Sequence, residues 1–109
     1  MATEQPPTLA EADYVFQLFI TGATPNSTRA VRNLKDICEQ YLAGRYELQI
    51  IDIYQQPLLA KEEQIIAAPT LVRKRPLPVR RLIGDLSERA TVLATLGLPD
   101  PPTTDDGNG

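Results

Sequence analysis

The hydrophobic residues fall into short blocks whose spacing changes along the chain. Residues 14–20 (YVFQLFI) are almost continuously apolar and β-prone, which predicts an interior strand covered on both faces. After Gly22 breaks the chain, Thr24 can cap a helix, Pro25 can occupy its first turn, and Gly44 can end it. Between these ends the apolar positions step by three and four: Ala30, Val31, Leu34, Ile37, Cys38, Tyr41 and Leu42.

Shorter apolar blocks follow this helix. Residues 46–53 (YELQIIDI) predict a second buried strand, and so short a strand–helix–strand unit implies a parallel pair joined by a right-handed crossover. Residues 57–65 begin with proline and continue with helix formers, which predicts a short second helix. Residues 65–72 and 79–83 predict two more strands, and residues 88–96 a last helix of weak intrinsic preference. The expected fold is a single α/β domain of order βαβαββα, the thioredoxin-like arrangement.

Two positions carry specific local predictions. Pro69 enters the third strand, where the thioredoxin-like fold usually has a cis peptide bond, so we expect Ala68–Pro69 to be cis. The alternative is an ordinary trans proline at the start of a strand. Asp85 and Glu88 have capping-box-like spacing, so Asp85 is predicted to cap the last helix.

Length and composition narrow the function classes. The 109 residues suffice for one domain, expected at 13–98, while residues 1–12 and 99–109 predict disordered tails because they are rich in Pro and polar residues. The net charge of −3 gives no overall reason to expect binding to nucleic acid or to an anionic membrane. No apolar run approaches the roughly 20 residues that span a bilayer. We therefore expect a soluble, cytoplasmic protein.

The chain lacks most of the residues that common enzymes use. It has no histidine and a single cysteine, Cys38, which excludes Ser/His/Asp triads, multi-cysteine metal clusters and an intrachain disulfide. Where redox thioredoxins carry Cys-x-x-Cys, residues 24–27 read TPNS. Cys38 falls on the apolar face of the first helix and is expected to be a small buried hydrophobe. With no glycine-rich phosphate loop either, we expect no catalytic residue, metal or cofactor.

Five of the eleven basic residues lie within nine positions. They are Arg73, Lys74, Arg75, Arg80 and Arg81. Guanidinium groups suit carboxylates, so the cluster indicates an acidic protein partner. The alternative is a solvated turn whose charges keep an edge strand from pairing, and nucleic acid ranks third because interleaved aromatic residues are missing. A regular strand would put Arg80 and Arg81 on opposite faces.

Four blocks resemble the signature blocks of the KaiB family, in the same order and spacing. They are residues 22–27 (GATPNS), 51–53 (IDI), 68–71 (APTL) and 78–87 (PVRRLIGDLS), and the likeness extends over about 14–93. We expect structural roles for five residues within these blocks: Gly22, Pro25, Pro69, Gly84 and Asp85.

The resemblance implies a non-enzymatic binding protein of the circadian clock. KaiB proteins bind the N-terminal ring of the hexameric ATPase KaiC, and in cyanobacteria the complex captures KaiA. The family has a thioredoxin-like monomer that binds KaiC and a tetrameric ground state of order βαββααβ, which stays an alternative here. A second alternative is a diverged paralogue in stress responses, or a sensor-type domain similar to the N-terminal region of the clock-output histidine kinase.

The resemblance also implies particular residues. Arg29, Arg73 and Arg81 match basic family positions associated with partner binding. Gln64 stands at a position that is often lysine in the family, which removes one charge from the expected contact surface. Residues 95–99 (TLGLP) depart from the Gly-Leu-Asp-like stretch of the family's switching segment, so whether this member changes fold stays open.

Overall fold

The computed structural model describes residues 12–98, and its elements follow the predicted βαβαββα order rather than the alternative βαββααβ order. The elements are β1 (Tyr14–Ile20), α1 (Pro25–Leu42), β2 (Tyr46–Asp52), α2 (Pro57–Glu62), β3 (Thr70–Arg75), β4 (Arg80–Ile83) and α3 (Arg89–Leu96). The predicted tails lie outside the described residues except for Ala12, which is buried.

The four strands form one sheet in the order β2-β1-β3-β4. As predicted, β1 is interior and pairs in parallel with β2, whereas β3 is antiparallel to both β1 and β4. The prediction that β2 is a buried strand is wrong. Because β2 lies at an edge, only Ile51 of its residues is buried and Ile50 is 38% exposed.

Helix α1 begins and ends where its sequence predicts. Thr24 is the N-cap, its hydroxyl accepts a bond from the Ser27 amide, and Pro25 occupies the first turn. At the other end Gly44 has a φ of 76°, the left-handed conformation that glycine adopts at the end of a helix without steric cost. The next strand can therefore return alongside β1.

The region between β2 and β4 differs from its prediction. Helix α2 ends at Glu62 rather than at Ile65, because Gln64 turns left-handed with a φ of 57°. Strand β3 then starts at Thr70, after a cis Ala68–Pro69 bond that confirms the prediction. Its pairing with β1 continues to Arg75, so β3 starts later and ends later than the predicted strand at 65–72.

The core has two parts, one on each face of the sheet. On the face covered by α1 and α3, called the α1 face, the buried cluster includes Phe16 and Leu18 of β1 with Leu34, Ile37, Leu71, Val92, Leu93 and Leu96. On the opposite α2 face, a smaller cluster contains Phe19, Ile51, Ala60 and Val72. The α2 face is the less covered of the two, because α2 has only six residues.

Candidate functional site

Hydroxyl groups fill the place at the start of α1 that a redox dithiol would occupy. The Ser27 side chain is fully buried, and its Oγ accepts a hydrogen bond of 3.0 Å from the Thr21 amide. The Thr21 Oγ1 lies 3.3 Å from Thr24 Oγ1 and 3.4 Å from Ser27 Oγ. These hydroxyls bond to each other and to the backbone. Their arrangement stabilises the turn and supplies no thiol for electron transfer.

The thiol of Cys38 lies away from this turn, on the side of α1 that packs into the core. Its side chain is fully buried. Burial, with a smaller effect from the Glu39 carboxylate, raises the pKa of Cys38 to about 12. A thiol with that pKa stays protonated at neutral pH, as the sequence predicts for a structural cysteine.

We expect Cys38 to be unreactive in the folded protein. A thiol-labelling reagent such as iodoacetamide should modify less than about a tenth of the folded molecules at pH 8, in the time that modifies all molecules in 6 M guanidinium. The reason is that only the opened molecule presents a thiolate. Mass spectrometry of the intact protein measures the labelled fraction under each condition. Equal labelling of folded and unfolded chains would contradict the assignment.

Asp85 joins the β4–α3 loop to α1 instead of capping α3, so the predicted capping role is wrong. The N-cap of α3 is Glu88, whose side chain makes no capping bond. Asp85 accepts bonds from Arg29 Nε at 3.0 Å and from the Ser87 amide at 3.1 Å, and Asn33 donates to its carbonyl at 2.9 Å. Hydrogen bonds from Ser87 and Arg29 lower the pKa of Asp85. Arg29 also bonds to Asn26. Its side chain is half-exposed, but its guanidinium is already paired with Asp85.

The other structural residues lie near this loop or at the first turn. Gly22 and Gly84 have φ values of 58° and 129°, which residues with a Cβ adopt only with strain. The Gly84 amide donates to the Pro69 carbonyl at 3.0 Å, which joins the end of β4 to the start of β3. Their structural roles stay a prediction.

The basic cluster does not form one surface. Strand pairing puts Arg73 opposite Arg80 and Val72 opposite Arg81. Arg73 and Arg80 therefore share the α1 face, whereas Arg81 lies with Val72 on the α2 face, which confirms the predicted alternation. Arg73 is only 5% exposed, so it cannot itself contact a partner in this conformation. Arg75 is exposed at the end of β3.

The cations on the α2 face surround one carboxylate. Lys74 Nζ donates to Glu63 Oε2 at 2.7 Å, and Arg81 Nη2 lies 3.6 Å from Glu63 Oε1. The side chains of all three residues stay between 22% and 42% exposed. Two positive charges thus share one negative charge, which leaves a net positive charge at the surface.

Two exposed isoleucines border this charged group. Ile66 is 92% exposed and Ile83 is 59% exposed. Together with Gln64 and Arg81 they line a depression of about 150 Å³ beside Thr70. We call this surface the hairpin patch and define it as Glu63, Ile66, Lys74, Arg81 and Ile83. Exposed apolar groups ringed by charges are typical of protein interaction sites.

Sequence reasoning missed Glu63, Ile66 and Ile83. Their contribution depends on the register of β3 against β4 and on the turn at Gln64, which bring distant positions together. Gln64, noted as a missing charge, does lie in the depression beside Arg81. The only local signal was the pair of isoleucines at 65 and 66, of which one packs inward and the other points to solvent.

Within residues 12–98 no three His, Cys, Asp or Glu side chains are grouped as metal ligands. The helices of this part of the chain are all too short or too polar to span a membrane.

Solved structures share this architecture. Mitochondrial thioredoxin 3 from Saccharomyces cerevisiae superposes with a TM-score of 0.65 at 19% identity, covering 80% of each chain. The N-terminal domain of Synechococcus elongatus SasA gives a TM-score of 0.65 at 23% identity, covering 94% of this chain and all of that domain. The protein thus has a thioredoxin-like fold without a thioredoxin's dithiol.

Sequence comparison specifies the family. The KaiB domain model matches residues 17–98. The circadian clock oscillator protein KaiB of Synechococcus sp. (strain RCC307) is 47% identical over 95 residues, covering 87% of this chain and 86% of that protein. The chain belongs to the KaiB family.

Proposed function

We propose that this protein is a non-enzymatic circadian-clock regulator that binds a hexameric KaiC-type ATPase ring and modulates its phosphorylation and ATPase cycle. Family membership supports the clock role, since the relatives are named circadian clock oscillator proteins. The observation that carries the binding mode is the hairpin patch, where exposed isoleucines lie beside a net positive charge.

The hairpin patch has the chemistry of a docking surface for an acidic protein. Burying Ile66 and Ile83 against a partner makes the free energy of binding more favourable by roughly 25 cal/mol per Å² of apolar area, without fixing the partner's orientation. The guanidinium of Arg81 can form paired hydrogen bonds with a carboxylate, which fixes the orientation of the partner. Arg75 and Arg80 are exposed on either side of the turn that joins β3 to β4, but Arg80 lies on the α1 face, so the proposed contact on the α2 face rests on Lys74 and Arg81.

Arg29 and Arg73 take indirect roles in this proposal. Arg29 holds Asp85 and hence the loop that leads from β4 to α3. Arg73 lies in β3 with its side chain on the α1 face, and its Nη2 donates to the carbonyl of Pro78, in the turn before β4, at 2.8 Å. Both therefore position the hairpin rather than touch the ring.

The thioredoxin-like conformation is proposed as the state that binds the ring. In it β4 and α3 follow one another and the hairpin patch is assembled across α2, β3 and β4. Rearrangement of residues after α2, as in the alternative tetrameric fold, would separate Glu63 from Lys74 and Arg81. A change of fold would thus control binding, since a minor competent state lowers apparent affinity by its population.

The test is complex formation with the KaiC-type ATPase from the same organism. Full-length protein incubated with the hexamer in its ATP-bound and ADP-bound states should coelute with it on size exclusion, in at least one state and after hours of incubation. The ring's phosphorylation state over the same period gives the functional readout. Absence of a complex in both states would overturn the proposal.

Further partners follow from the same role. We propose that KaiA or a clock histidine kinase binds the complex or competes for it, and that the free chain is cytoplasmic and forms a homotetramer only in the alternative fold. Nucleic acid is not a proposed partner, because the hairpin patch contains no aromatic side chain on which bases could stack.

A further inference from the structure

A cavity of about 500 Å³ lies between the end of β1 and the first half of α1. It belongs to the α1 face, because two of its lining residues, Ile20 and Val31, pack against the buried cluster of that face. Its volume is within the range of sites that take small organic molecules, roughly 300–1,000 Å³. We call it the α1 cavity and define it by Ile20, Thr28, Val31, Arg32, Lys35 and Asp36.

The inner wall of the α1 cavity is apolar and only partly covered. Ile20 is the last residue of β1, and Val31 lies in the second turn of α1. Both are half-buried, so the core covers one side of each side chain and leaves another side open to the cavity. An apolar group placed here would remove more of their surface from water, which stabilises binding in proportion to the area covered.

The rim of the α1 cavity carries two cations without an anionic partner. Arg32 and Lys35 are three residues apart on α1, a spacing that places side chains next to each other on a helix surface. Both are exposed, and among residues 12–98 neither is ion-paired with a carboxylate. This holds even for Asp36, which lines the same cavity four residues after Arg32. Two positive charges and one negative charge therefore attract an anion, although the whole chain has a net charge of −3.

The two walls together favour a carboxylate with an apolar body. A guanidinium fork binds both oxygens of a carboxylate, and the neighbouring ammonium adds a second charge-assisted bond. Thr28 is exposed in the same wall and brings a hydroxyl donor. An inorganic anion would leave Ile20 and Val31 uncovered, and Asp36 repels ligands with more than one negative charge. A cavity of this volume suits a small molecule rather than a folded partner, which needs roughly 800 Å² of contact on each side.

We propose that the α1 cavity binds a small aliphatic monocarboxylate, with the carboxylate on Arg32 and Lys35 and the hydrocarbon body against Ile20 and Val31. The cavity lies on the α1 face and shares no residue with the hairpin patch, which lies on the α2 face. The proposal therefore goes beyond the proposed function and does not depend on binding to an ATPase ring.

The experiment titrates the full-length protein with sodium hexanoate, without any partner protein, and follows backbone amide shifts by NMR. A ligand of this size should bind with a Kd on the order of a few millimolar. The shifts of residues 20–23 and 28–36 should saturate with one common Kd, while residues 63–66 and 79–83 stay unchanged. Sodium chloride at the same ionic strength should produce none of these shifts. Absence of a saturable shift in residues 20–36 at about ten times that concentration would overturn the proposal.

Two related probes test the two walls separately. 1-Hexanol has the same body without the charge and should bind at least about 10-fold more weakly, because it forms no charge-assisted bonds. Butyrate keeps the carboxylate but lacks two CH₂ groups, and its affinity should fall by up to about 4-fold for each of them. Equal affinity of hexanoate and 1-hexanol would contradict the role of the cations. Equal affinity of hexanoate and butyrate would contradict the role of the apolar wall.

Variants then separate the cavity from overall charge. R32Q/K35Q should weaken hexanoate binding about 10-fold or more. The matched control K61Q/R80Q removes the same charge at exposed positions outside the cavity and should leave the Kd unchanged. Thr28→Phe fills the cavity from an exposed position of α1 without changing the charge, so it should also abolish binding. A control as weak as R32Q/K35Q, or an unchanged Kd in Thr28→Phe, would overturn the site.

Discussion

Replacing Leu96 with alanine is expected to lower the free energy of unfolding by about 2–5 kcal/mol, because the change deletes a fully buried side chain and leaves a cavity. Leu96 is at the end of α3 and packs in the core cluster of the α1 face with Val92 and Leu93. Helix α3 has eight residues, no side-chain N-cap and β-branched residues within it, so packing rather than intrinsic preference stabilises it. Urea unfolding followed by circular dichroism measures the change.

The matched control for Leu96→Ala is Thr91→Ala on the same helix. Thr91 is exposed, and alanine has the higher helix propensity, so stability should be unchanged or raised by about 0.5 kcal/mol. A loss below about 1 kcal/mol for Leu96→Ala would contradict the packing of α3 described above. It would mean that α3 contributes little to the stability of the thioredoxin-like conformation.

Reversing the charge of Arg81 is expected to weaken binding to the KaiC-type ring by about 10- to 100-fold, which corresponds to about 1.4–2.8 kcal/mol. Arg81→Glu replaces the guanidinium that orients an acidic partner and puts a second carboxylate beside Glu63. Binding by fluorescence anisotropy at two salt concentrations measures the effect, and the salt dependence of affinity should fall with the lost charge.

Glu63→Gln should have the opposite effect on the same measurement. Removing the Glu63 carboxylate frees Lys74 and Arg81 for the partner, so affinity should rise, by about 3-fold for an ion pair of ordinary strength. Arg32→Glu on α1 is the control, because it changes the net charge as Arg81→Glu does but lies in an exposed position of a helix that packs on the other face. If Arg32→Glu weakens binding as much as Arg81→Glu, overall charge rather than the hairpin patch governs binding.

Local signals in the sequence predicted the first half of the fold well. The continuous apolar run of β1 and the cap, proline and glycine signals of α1 are properties of neighbouring residues, and the structure places both elements within a residue of their predicted ends. The prediction that β2 is buried was wrong, because the order of strands, and not a strand's own composition, decides whether it is central or at an edge.

The candidate site was predictable in its chemistry but not in its assembly. The sequence identified a basic cluster and the opposite orientations of Arg80 and Arg81, which follow from the alternation of a strand. The burial of Arg73 could not be read locally, because β3 extends further along β1 than the apolar pattern indicates. Asp85 likewise has a cap-like spacing, yet a long-range bond to Arg29 and a local turn at Ser87 occupy its carboxylate.

We propose that this KaiB-family protein acts by binding through its β3–β4 hairpin and not by chemistry at the start of α1. Hydrogen–deuterium exchange of the full-length chain, with and without the KaiC-type ring, distinguishes these two possibilities. We expect slower exchange in residues 63–66 and 74–83 on complex formation, with residues 21–27 unchanged. Protection confined to residues 21–27, with the hairpin unprotected in a demonstrated complex, would contradict it.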